Sequence, residues 1–72
     1  IIIEIEEENI GIILEVKYSQ SEDLEAACQE ALGQIEQMRY DEFLRDQGIQ
    51  TILKYGIACW KKRCKVVMEK ED

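Results

Sequence analysis

The chain has 72 residues, 46% of them hydrophobic, and a formal net charge of -7. This length limits it to one domain near the size where a single core is marginal, and its wealth of Ile, Leu and Val excludes a disordered chain. The acidic balance argues against a free-standing nucleic-acid binder, because phosphate neutralisation needs concentrated Lys and Arg.

Ile1 to Glu6 reads as a strand, with Ile1, Ile3 and Ile5 on one face and Ile2, Glu4 and Glu6 on the other. The segment Glu7-Glu8-Asn9-Ile10-Gly11 has the charge, Asn and Gly of a tight connection between antiparallel strands. A second strand follows from about Ile12 to Tyr18. It is apolar at nearly every position, which predicts a central strand covered on both faces. Ser19-Gln20-Ser21-Glu22 fits a capping box, and Ser21 before Glu22 and Asp23 is an equally good N-cap. From there Leu24, Ala27, Cys28, Ala31, Leu32, Ile35 and Met38 form one apolar helical stripe, weakly interrupted at Gly33. Phe43 and Leu44 either continue this helix or form a short second one, and Gly48 marks a stop.

Thr51 to Cys59 reads as a third strand, Trp60-Lys61-Lys62 as a turn, and Arg63 to Met68 as a fourth strand with a frayed, charged tail from Glu69. The order is β-β-α-β-β. A strand–helix–strand crossover makes the second and third strands parallel, so the expected fold is α/β in the α+β sense: a mixed sheet with a helix packed on one face. No apolar run reaches the roughly 20 residues that span a bilayer.

Three cysteines, Cys28, Cys59 and Cys64, with no histidine, do not make a zinc site; they read as free thiols of a reducing, cytoplasmic compartment. Lys61, Lys62, Arg63 and Lys65 form a local basic cluster, the usual composition of a solvated hairpin tip and a candidate for phosphate contacts if the parent protein binds nucleic acid.

The informative stretch is the second strand. Alternation puts Ile12, Leu14, Val16 and Tyr18 on one face and Ile13, Glu15 and Lys17 on the other. Side chains two residues apart on a strand stand about 6.5–7 Å from one another, so a carboxylate can hold a divalent cation while an ammonium reaches the same water or substrate oxygen. Such a pair on an exposed strand is usually a weak surface ion pair. A central strand is a less ordinary place for it.

The stretch IILEVKYSQSEDLEAACQEALGQIEQMRYDEFL resembles the PD-(D/E)xK nuclease superfamily, in particular a bacterial branch often paired with an ATPase-like domain. The likeness rests on an apolar strand ending Glu15-Val16-Lys17, a helix carrying Ala31-Leu32 and Gln34-Ile35 with Tyr40 beyond, and the later Ile52-to-Ile57 run. It implies a restriction-endonuclease-like core that hydrolyses nucleic-acid phosphodiesters with Mg²⁺ or Mn²⁺. By the same resemblance Glu15 is the metal-binding acid, Lys17 the catalytic lysine, and Gln34 and Tyr40 lie near the site or the substrate backbone. The superfamily also uses an Asp at the start of the strand before Glu-x-Lys, which in this branch falls close to where Ile1 begins. Residues 1–72 therefore read as a single partial domain, the C-terminal part of a nuclease-like domain lacking its N-terminal elements and inactive alone. The alternative is a non-catalytic interaction or self-associating module on the same fold.

Overall fold

A computed structural model describes residues 1–5 and 8–72, with Glu4 and Ile5 described as backbone. The strands and helices are β1 (Ile2–Ile5), β2 (Ile10–Tyr18), α1 (Leu24–Met38), α2 (Tyr40–Asp46), β3 (Thr51–Trp60) and β4 (Arg63–Glu71). The expected order holds, with the short second helix inserted. The four strands form one mixed sheet in the order β1-β2-β3-β4, antiparallel at both outer joints and parallel between β2 and β3.

Local chemistry explains how α1 begins and ends. Ser21 Oγ accepts the Asp23 N–H at 3.2 Å, and Asp23 Oδ1 then accepts the Ala26 N–H at 3.1 Å. Asp23, and neither serine, is thus the N-cap, because the Ser21 hydroxyl is already spent on the turn before the helix. Arg39 adopts a left-handed φ of 57° and donates its N–H to Glu36 O, which stops α1 and starts α2 at a new angle. α2 ends before Gly48, whose φ is 89°.

α1 lies on one face of the sheet. Ala27, Cys28, Ala31, Leu32 and Ile35 of the expected stripe are buried, while Met38 at its end is exposed. Leu32 and Ile35 join Ile13, Leu44, Ile49 and Ile52 in the main core cluster. Ala27, Cys28 and Ala58 make a smaller one. Two glycines set the depth of this packing. A Cβ on Gly56 would lie 2.5 Å from the Cys28 carbonyl oxygen, so only glycine lets the α1 backbone approach β3 so closely. Gly11 was expected in the turn but is a buried residue of β2, where a Cβ would meet Leu44 Cδ1 at 2.7 Å.

Two further expectations are corrected. β2 is covered on one face only: Ile13 is fully buried, whereas Val16 and Tyr18 on the opposite face are 47% and 81% exposed. Its continuous apolar composition therefore marks two apolar faces, of which α1 takes one. The fourth strand does not fray at Glu69 but runs to Glu71, because Arg45 of α2 donates to the Glu71 and Asp72 carbonyls at 3.4 and 3.2 Å. The expected turn over Glu7, and the face assigned to Glu4 and Glu6, lie outside the described residues or side chains. Among the described residues no helix is long and apolar enough to cross a membrane.

Candidate functional site

β2 and β3 pair in parallel through nine residues of β2, which makes β2 a central strand with β1 on its other side. Glu15 and Lys17 project from the same face as the buried Ile13, toward α1. Each is half-buried. Lys17 forms an ion pair with Glu30 of α1, and its side chain remains 35% exposed. Past that pair opens a cavity of about 350 Å³ at the start of α1, lined by Lys17, Ser19, Ser21, Asp23 and Glu30 among others. Glu15 is not among its lining residues; it lies one alternation back along β2, where the register sets it beside Gly56.

Gln34 is exposed on α1 one turn beyond Glu30, so it occupies the helix flank that faces β2. α1 runs antiparallel to β2, with Glu30 near Lys17, Leu32 against the Gly56 that pairs with Glu15, and Ile35 in the cluster of Ile13, so Gln34 lies farther along the same flank, toward Ile13. Tyr40 has a different environment. The left-handed turn at Arg39 redirects the chain, and Tyr40, the first residue of α2, is half-buried and packs against the main core cluster. The structure thus brings Glu15, Lys17 and Gln34 to one side of β2 and uses Tyr40 in packing.

Two residues at this face escaped the sequence reading. Glu30 holds the Lys17 ammonium; its helical spacing from Gln34 was the available signal. Lys54 on β3 is 4% exposed and bonds Glu36 of α1 at 2.6 Å and Glu71 of β4 at 2.8 Å. Burial alone would lower the Lys54 pKa, but the hydrogen bonds and charges of the two carboxylates outweigh it and raise the group above its ordinary value. The same contact, led by the Lys54 hydrogen bond and opposed by burial, holds the Glu71 carboxyl below its ordinary range. The signal was a lysine alternating with Ile52, Gly56 and Ala58 on the core-facing side of a strand.

Among the described residues no group of three or more His, Cys, Asp or Glu side chains is placed to hold a metal ion. Glu15 offers one carboxylate and Lys17 an ammonium whose charge opposes a cation, so these residues alone do not complete a metal centre.

A mixed four-stranded sheet with a helix on one face and a Glu-x-Lys strand at its centre defines a restriction-endonuclease-like domain. The family model for the PD-(D/E)XK nuclease superfamily matches residues 1–69, and the chain belongs to that superfamily. No curated protein and no solved structure matches it.

Proposed function

We propose that residues 1–72 are a single partial nuclease-like domain whose Glu15 and Lys17 serve the hydrolysis of nucleic-acid phosphodiesters, with Glu15 as ligand to a Mg²⁺ or Mn²⁺ ion. The observation that carries the reading is the shared face of Glu15 and Lys17 on the central strand, toward α1. Lys17 orients a water or meets charge developing on a phosphate oxygen, and Glu30 sets where its ammonium rests. Gln34, exposed on the α1 flank that carries Glu30, is a candidate for contact with the substrate backbone. Tyr40 supports the site through the core.

The β1–β2 register supports a location for the second acid. Ile1 and Leu14 exchange both backbone hydrogen bonds, at 2.9 and 2.8 Å. The ladder position that faces Glu15 is therefore that of a residue immediately preceding Ile1. Opposed side chains in such a pair lie about 4.5–5.5 Å apart at Cβ, close enough for two carboxylates to share one ion. With Glu15 alone, residues 1–72 are expected to bind Mg²⁺ or Mn²⁺ weakly and to be inactive.

The test is a longer protein that extends upstream of Ile1 and restores an Asp there, assayed on DNA and RNA with Mg²⁺ or Mn²⁺. Cleavage is expected, and Glu15→Ala or Lys17→Ala should abolish it with the circular dichroism unchanged. Full activity in both variants overturns the assignment.

A second reading, a protein-interaction or self-associating module, is favoured by the sheet face opposite α1. There Val16, Tyr18, Val66 and Met68 are 47%, 81%, 55% and 50% exposed. Apolar area of this kind invites a partner. Light scattering behind size exclusion discriminates: metal-independent dimers with no ion binding by calorimetry favour the module.

A further inference from the structure

The three thiols occupy two different environments. Cys28 is fully buried under α1 and donates to the Lys65 carbonyl at 3.4 Å. Cys59 and Cys64 lie on the opposite, open face, directly across the β3–β4 ladder from one another. Their sulfurs are 2.9 Å apart, with Cys64 exposed and Cys59 half-buried.

The ladder fixes what this pair can form. The Cys59 carbonyl accepts the Ser19 N–H at 2.8 Å, so the Cys59 peptide groups point toward β2 and away from β4. Cys59 and Cys64 are therefore a non-hydrogen-bonded antiparallel pair, the type whose Cα atoms stand about 4.5 Å apart. That separation falls inside the roughly 4.4–6.8 Å range that disulfides span, so no strand has to move for the sulfurs to bond. Cys28, on the far side of the sheet, cannot join.

We propose that Cys59 and Cys64 are a reversible dithiol–disulfide couple that clips the β3–β4 hairpin and takes a low-molecular-weight disulfide as its oxidant. The exposed Cys64 thiolate attacks one sulfur of that disulfide, forming a mixed disulfide and expelling one small thiolate. Cys59 then gives up its proton and attacks the Cys64 sulfur; the Cys59–Cys64 bond forms as the bond to the small thiol breaks. Two protein thiols lose two electrons, and the small disulfide gains them to become two thiols, which take up the two protons. The hydrogen bond to Cys64 and then burial raise the Cys59 thiol above its ordinary value, which leaves the first attack to Cys64. The closed loop contains only the Trp60–Arg63 tip, where Lys61 Nζ lies 4.5 Å and Arg63 Cζ 5.6 Å from the Trp60 ring centroid. The couple thus fixes the base of the most basic segment of the molecule. It stands independently of the nuclease reading.

The test incubates the folded chain with oxidised glutathione, quenches with an alkylating reagent and digests with trypsin, which cuts after Lys61, Lys62 and Arg63 between the two cysteines. Expected is a mass loss of two hydrogens, a linked peptide pair holding Cys59 and Cys64, and Cys28 alkylated only after denaturation. In Cys59→Ser the glutathione adduct on Cys64 should accumulate at least about tenfold over the unsubstituted protein, because the neighbouring thiol that resolves it is gone. Excess dithiothreitol should restore all thiols. A lasting adduct in the unsubstituted protein, a bond that includes Cys28, or intermolecular disulfides as the main product would each overturn the proposal.

Discussion

Lys54 and Glu71 meet at 2.8 Å on the core side of the β3–β4 hairpin, and Glu36 of α1 closes on the same ammonium at 2.6 Å. One inward-facing cation therefore fastens three separate segments: the end of α1, the middle of β3 and the end of β4. Glu71 Oε2 is buried without a hydrogen bond of its own, and the Lys54 ammonium at 2.8 Å is the charge that compensates it, so removing the cation leaves that oxygen uncompensated.

Lys54→Met should consequently destabilise the fold by about 2 kcal/mol, in the range for stranding a buried polar partner. Adding Glu71→Gln to Lys54→Met should recover part of the loss, since the stranded charge is gone. Urea titrations followed by circular dichroism measure both, and an additive double variant would dissociate the two residues energetically.

The pair also sets a pH dependence with two edges. Lys54 is raised above 10.5, so its contribution is complete below that value and disappears as the pH climbs through the folded-state pKa. Glu71 is lowered below 4.5, so its contribution is complete above that value and disappears as the pH falls through the folded-state pKa. Stability measured by denaturant across pH should be flat from these two groups between the edges. Lys54→Met should flatten the alkaline edge and weaken the acid one.

Gly56→Ala should cost about 2–3 kcal/mol, because the added methyl must push the Cys28 carbonyl, 2.5 Å away, and α1 with it off the sheet. Gly33→Ala is the contrasting case. A Cβ there meets nothing within 4 Å, so the better helix former should stabilise by about 0.5–1 kcal/mol. Thermal unfolding of the two variants should move in opposite directions.

Glu30→Gln should change stability by less than about 0.5 kcal/mol, since its pair with Lys17 joins side chains 60% and 35% exposed. Unfolding midpoints would reveal any larger role for the pair.

The strand faces and the helix stripe were legible because periodicity is written directly in residue order: Ile13, Glu15 and Lys17 had to share a side once β2 was a strand. The parallel joint between β2 and β3 followed from one helical crossover. What the sequence hid were matters of partnership. Continuous apolarity in β2 does not say whether a second layer exists to cover Tyr18. Serine spacing named a helix start, but only the backbone geometry shows that Ser21 is occupied and Asp23 caps. The strand end at Glu71 depended on Arg45, contributed from α2, which no local pattern in β4 announces. At the candidate site, Glu15-x-Lys17 was visible as a spacing, whereas the Glu30 partner of Lys17 exists only after α1 docks.

The central parallel joint has a kinetic meaning. β1–β2 and β3–β4 are each closed by short connections, yet β2 finds β3 only across the whole helical stretch between them. Two-stranded ribbons are marginal in water on their own, so neither half gains lasting order until α1 bridges them. Assembly of the sheet and docking of the helix must then be a single cooperative event.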